Sequence, residues 1–359
     1  MKERLGMRLP VLACIVVVAT SSATAQTPNR AGAAGPTAGK AWTASRTSDG
    51  QPDLQGVWVN NSATPLERPK ALEGKPLLTD EEVADLKKRA ARIFDVNVNS
   101  DFAGGDGFFL ALLANPERYK NPNSTGTAVE MVERELENRT SLIVDPSDGK
   151  VPPLTPEAQA RVARGPTPTG AGQPPPAGPE DLSNALRCIT DGVPRLGGNA
   201  ASYNSYYQIL QTPGYVVIVG EATKPSRIVP LDGRPHLPQS IRQWHGDSRG
   251  RWDGNTLVID TTNFSPKSNF MGSAEHLHLV ERFTRVAADR VNYEIRLTDP
   301  TTWTKPWDAA IHLRQTNNKL YEYACHEGNF YTMEGMLRAA RADEQHAEGV
   351  RKEEGTRKK

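Results

Sequence analysis

Apolar and polar residues alternate with a period of two through the C-terminal third of this chain, the pattern of strands with one dry and one wet face. Four consecutive strands are predicted between Leu277 and Glu327. Their apolar face carries Leu277, Leu279 and Phe283, then Val291, Tyr293, Ile295 and Leu297, then Ile311 and Leu313, then Tyr321, Tyr323 and Cys325. The other face carries His278, Arg282, Glu294, Arg296, His312, Arg314, Glu322 and His326. It holds no lysine, although lysine is common on a plain solvated face. Imidazoles, guanidiniums and carboxylates in that mixture suit recognition of a polar, anionic small molecule.

Shorter strands are predicted upstream. Pro52–Val59 contains Trp58, and Ser141–Val144 runs into an Asp145-Pro146-Ser147-Asp148-Gly149 turn. Tyr207–Gln211 and Tyr215–Gly220 are joined by Thr212-Pro213-Gly214, and Arg227–Leu231 follows. Arg251–Ile259 is a hairpin turning at Asp253-Gly254. Thr79-Asp80-Glu81-Glu82 is a capping box opening a helix to about Phe94. A second helix is predicted over Ala128–Asn138 and a short one over Met333–Ala342, while Asp101–Leu113 is ambiguous. The count of short sequential strands predicts a mainly β fold, an antiparallel β-barrel or strongly curved sheet with helical insertions.

The chain divides by composition. Residues 1–25 read as a signal peptide: Lys2, Arg4 and Arg8, an apolar stretch Leu9–Ala19, then Ala23-Thr24-Ala25 before Gln26. The apolar stretch is shorter than the ~20 residues of a membrane span, so no integral membrane segment is expected. Residues 26–50 form a polar lead-in without predicted order, which is expected to begin at Pro52. Residues 51–164 hold the first strand and the helical insertions, and 165–180 (GPTPTGAGQPPPAGPE) form a Pro/Gly-rich loop or linker. The loop reading is preferred, because the N-terminal region has too few apolar residues for a core of its own. Residues 181–331 make the barrel, and 332–359 a helix with a charged tail. The expected location is periplasmic or extracellular.

Removing the leader's three basic residues and Glu3 from totals of 43 and 42 leaves 40 basic against 41 acidic residues. Such a balance argues against nucleic-acid partners and against adhesion to anionic membranes. Cys188 and Cys325 remain; a disulfide between them and two separate buried thiols are both open. No zinc-type Cys/His spacing occurs.

All seven histidines lie between His236 and His346. On the wet strand faces, His278, His326 and Glu322 are candidate acid–base residues, with Arg282, His312 and Arg314 as ligand-binding groups. The loop Trp244–Trp252 is a second candidate. Asp247 is its candidate base, Arg251 an anion anchor, and Trp244 and Trp252 ring-stacking platforms. Trp303 and Trp307 bracket a Pro-containing loop that either covers a cavity mouth or plugs the barrel end. No cofactor is predicted. A metal held by His278, His312 and His326 is the less favoured use of the same residues. The plain alternative for the wet face is a solvated surface laced with cross-strand ion pairs.

Three segments, Gln51–Trp58, Gly246–Val258 and Tyr321–Asn329, resemble a widespread family of secreted bacterial β-rich proteins without an assigned activity. Against that family's pattern His245 and His276 depart, whereas His278 and His326 fit. Gly56-Val57-Trp58 also resembles the Gly-x-Trp of lipocalin-like barrels, which implies a lipocalin-like β-barrel with helical insertions. Three functions follow as alternatives: a barrel that binds a small polar or aromatic molecule, with or without cofactor-independent isomerase, lyase or hydrolase chemistry; a non-catalytic periplasmic carrier or envelope-associated interaction protein; and a metal-dependent hydrolase or oxidase.

Overall fold

The computed structural model describes residues 42–93, 105–114, 134–163, 176–196, 205–221 and 226–357. Among these residues ten antiparallel strands form one sheet that is nearly closed into a barrel, accompanied by four α-helices, a mainly β fold. The strands are β1 (Gly56–Val59), β2 (Ile143–Asp145), β3 (Tyr206–Thr212), β4 (Tyr215–Gly220), β5 (Arg227–Pro230), β6 (Asp247–Asp253), β7 (Thr256–Thr262), β8 (His278–Ala287), β9 (Arg290–Thr298) and β10 (Trp307–Thr316). Along the sheet they run β5-β4-β3-β1-β10-β9-β8-β7-β6, with β2 paired outside this path to β10. Apart from β2, neighbours around the ring therefore follow chain order. This is an up-and-down arrangement, as the run of short strands predicts.

The apolar face of the meander points inward. Leu279, Phe283, Val291, Ile295, Leu297, Ile311 and Leu313 are buried there with Trp58, Trp303 and Trp307. The fourth predicted strand does not form. Tyr321–His326 is coil and turn, with Tyr321 exposed. The place beside β10 that it would need is taken by β1, in the register Val57 to Thr316 and Val59 to Arg314. The predicted terminal helix is correspondingly longer, α4 running Asn329–Arg357.

The capping box forms as predicted at α1 (Asp80–Ile93). Glu82 N–H donates to Thr79 Oγ1 at 3.3 Å and Thr79 N–H to Glu82 Oε2 at 2.8 Å. The ambiguous stretch is helical as α2 (Gly105–Ala114), and α3 (Pro156–Val162) is capped by Thr155. The helix predicted over 128–138 is not one where the structure describes it. Residues 134–139 are extended, bridging Glu135 to Ser62 and Arg139 to Leu77. Leu136 turns into a cluster with Leu86, Phe109 and Leu112, while Glu135, Glu137 and Arg139 turn toward the barrel. Period-two packing between two bodies has overridden local helix propensity. Order also begins before Pro52: Thr47 N–H donates to Gln51 O, and Arg46 reaches Asn255. The signal segment, most of the lead-in and most of the 165–180 loop lie outside the described residues.

Among the described strands one seam lacks a backbone ladder, that between β5 and β6. Side chains close it. Gly250 on β6 lies so near Val229 and Leu231 that a Cβ there would stand 2.5 Å from Leu231 Cδ2 and 2.8 Å from Val229 Cγ1. Arg227 on β5 reaches inward across the gap. It is 3.3 Å from Ser248 Oγ on β6 and from Thr261 Oγ1 on β7, and 3.0 and 2.5 Å from the two carboxylate oxygens of Glu281 on β8. Glu281 is fully buried and also accepts from Tyr293 Oη at 2.6 Å. Burial opposes the charge on Arg227, but Glu281 more than offsets it and the guanidinium pKa is raised. Removing one partner leaves an uncompensated buried charge, a cost of ~3–5 kcal/mol. Arg227→Leu and Glu281→Leu should each lose about that much stability, and the double variant less than either. Urea unfolding of the four proteins checks this, and additive losses would mean that the two groups act separately.

Candidate functional site

A cavity of about 1330 Å³ opens at the barrel end where β6, β8 and β10 begin and β7 and β9 finish. Its apolar wall is Trp244, Phe264, Phe270, Met271, Leu277 and Trp303. The remainder comes from Val151–Leu154, α3 and the 182–193 segment, which cover this end. The opposite end is closed by the segment before β1. There Leu54 is buried, its N–H donates to Gln211 Oε1, and Arg285 donates to Asp53 O and stacks over Trp58.

Long-range bonds hold each part of the wall. Asp299 accepts from Ser273 and Thr302 through one carboxylate oxygen and from Thr301 through the other, fixing the turn that presents Trp303. Burial works against the ionised Asp299, but these hydrogen bonds outweigh it and hold its pKa low. Thr190 Oγ1 lies 2.6 Å from His245 Nε2, tying the 182–193 segment to the Trp244 loop. Cys188 and Cys325 are disulfide-bonded, linking that segment to the chain before α4. Arg187 donates to Asn184 Oδ1 at 2.9 Å, and Asn184 in turn to Lys267 O at 3.0 Å. Asp191 lines the cavity, with part of its surroundings taken up by protein. That partial burial raises its carboxyl pKa against the opposing pull of Arg195.

The predicted site residues scatter. Trp244 and Trp303 line the cavity. Trp303 and Trp307 are both fully buried, so this pair plugs the barrel end, with Trp307 edge-on to Trp303 at 5.5 Å and stacked on Phe270 at 6.5 Å. Trp252 is half-buried against the core, and Arg251 is exposed. Glu322 and His326 are exposed on the segment that failed to become a strand, and so share no sheet face with His278. The wet face points outward and is spanned by ion pairs. Arg282 meets Asp253 at 3.0 Å, and Arg314 meets Glu135 at 3.3 Å and Asp289 at 3.6 Å. His312 Nδ1 lies 3.0 Å from Glu137 Oε1. The anion that His312 and Arg314 recognise thus belongs to the same chain. Among the described residues no three His, Cys, Asp or Glu groups stand as metal ligands, so His278, His312 and His326 are not brought together.

His278 and Asp247 are joined through two residues that sequence reasoning missed. Asp247 Oδ2 lies 3.0 Å from His236 Nδ1, and His236 Nε2 lies 2.9 Å from Asp260 Oδ1. Asp260 Oδ2 is in turn 2.9 Å from His278 Nε2. Asp247 also accepts from Arg249 at 2.6 Å and from the Leu237 N–H at 2.9 Å. Its hydrogen bonds therefore hold the loop before β6 against the outer sheet face. The bond to Asp260 raises the His278 pKa despite partial burial, and the two imidazoles lower that of Asp260. None of these four residues lines the cavity. A further omission is Glu281, whose inward parity on β8 placed an acid among apolar neighbours and was a readable signal. The chain matches no family model, no curated protein and no solved structure.

Glu137 supplies a pH test of the covered face. Burial resists its charge, but His312 and Arg139 pull its pKa down from 4.5 to about 2. A depressed carboxyl contributes stability that is full above its unfolded pKa and is lost as pH falls through the folded one, ~3 kcal/mol here. Glu137→Gln should remove most of that acid sensitivity between about pH 5 and 2. Parallel wild-type and variant urea curves across that range would refute the assignment.

Proposed function

We propose that this chain is an exported β-barrel protein that binds a small, ring-bearing molecule in the Trp303 cavity. The observation carrying this reading is the cavity itself, concave, apolar-walled and dotted with a few charged groups, the usual composition of small-molecule sites. Its volume slightly exceeds the ~300–1,000 Å³ typical of drug-sized ligands, which leaves room for accompanying water. The basic, apolar and small-residue stretches of residues 1–25 support export, as does a disulfide, because such bonds persist in oxidising compartments. Among the described residues no helix is long and apolar enough to cross a membrane. The resemblance of three segments to a family of secreted bacterial proteins agrees with this reading.

A thermal-shift screen of small ring-bearing compounds tests it. A compound at 100 times its Kd should stabilise the protein by ~2.7 kcal/mol. Ala185 is an exposed wall residue, so Ala185→Trp fills the cavity without removing a buried contact. The variant should fold and lose the shift; equal shifts in both proteins would place binding elsewhere.

A second reading, acid–base chemistry, is supported by the hydrogen-bonded chain from Asp247 to the half-exposed His278. It calls for a substrate on the outer sheet face. Mass spectrometry of a bound compound after incubation decides between the two. Conversion that disappears in His278→Ala favours catalysis, and an unchanged compound leaves the protein a carrier.

A further inference from the structure

Among the described residues, two hydrogen-bond donors of the cavity wall have no acceptor. Trp303 is fully buried and its indole Nε1–H is unpartnered, and Arg187 Nε is likewise a buried donor without a partner. Such groups cost free energy unless something supplies the missing acceptor. The Arg187 guanidinium is already fixed in the wall through Nη2 and Asn184. Its orientation is therefore set in advance, which lowers the cost of using it on a ligand. Lys267 adds a second cation, whereas Arg161 is occupied by Gly272 O and Thr302 Oγ1. Glu180 and Asp191 are the acidic wall residues.

We infer that the ligand is an aromatic or alicyclic acid, its ring against Trp244, Phe270 and Trp303 and its anionic group received by Arg187 and Lys267. The inference rests on the cavity being the binding site. A planar guanidinium gives an anionic oxygen donors of fixed direction, which the rotating ammonium of a lysine does not. A cationic ring compound would leave the Arg187 donor unmet and would face the charges of Arg187 and Lys267 directly.

The test compares three probes of one shape by isothermal titration: 2-naphthoate, 2-naphthalenemethanol and 2-naphthylmethylamine. With the wild-type protein the acid should bind about ten-fold or more tightly than the alcohol, the difference a charge-assisted hydrogen bond supplies. Arg187→Gln should abolish that preference, and Arg187→Lys should restore only part of it. Alcohol or amine binding as tightly as the acid to the wild-type protein overturns the assignment of an acid and leaves the cavity reading standing. Failure of all three probes overturns the cavity reading together with it.

Discussion

Arg227 crosses the seam where the described strands of the barrel have no backbone ladder and finds Glu281 on the far side, three strands away in ring order. A gap between two edge strands is a liability, because unpaired N–H and C=O groups invite another chain. Here the five-donor fork of a guanidinium spans it, engaging β6, β7 and β8 at once. Burial makes that pair demanding, since neither charge has water to fall back on. The same demand gives it geometric authority: only one register of β5 against β6 brings Arg227 to Glu281 while seating Val229 against Gly250. The position of the β5–β6 loop, and with it of Trp244, depends on that register.

The outside of the barrel is charged for a related reason. Bare strands β7 to β10 would show water a row of histidines and arginines, but two pieces of the chain lie over them. Residues 134–139 bring Glu135 and Glu137 to Arg290, His312 and Arg314. The loop before β6 brings His236 between Asp247 and Asp260. In both places the charged groups fix where the covering segment lies on the sheet. Sites that read as open for an external anion are therefore largely filled from within.

What remains concave is the end where the chain did not fill itself. Its wall draws on segments far apart in sequence, held by the Asp299 turn, the Thr190–His245 contact and the Cys188–Cys325 bond. Walls tied at several points lose little freedom on binding. The unsatisfied indole and guanidinium donors sit in this held region and not on a mobile edge. That placement is why they bear on ligand chemistry.

Local pattern alone was enough for three of the four predicted meander strands, the inward set from Leu279 to Leu313, the Asp253-Gly254 hairpin and the Thr79 cap. Each of these depends on contacts within a few residues or on a strict two-residue period. Even Glu281 was readable, as an acid at an inward position. The neighbour of β10, the extended path of 134–139 and the meeting of His236 with His278 were settled only by packing at long range. Strand alternation says which face is dry, but it is silent on what will lie against the other face. Tyr321–Cys325 carries as good a strand pattern as β1. Only one of them can hold the edge of β10, and the choice falls to β1, whose Trp58 fills the core while Cys325 is drawn away to Cys188.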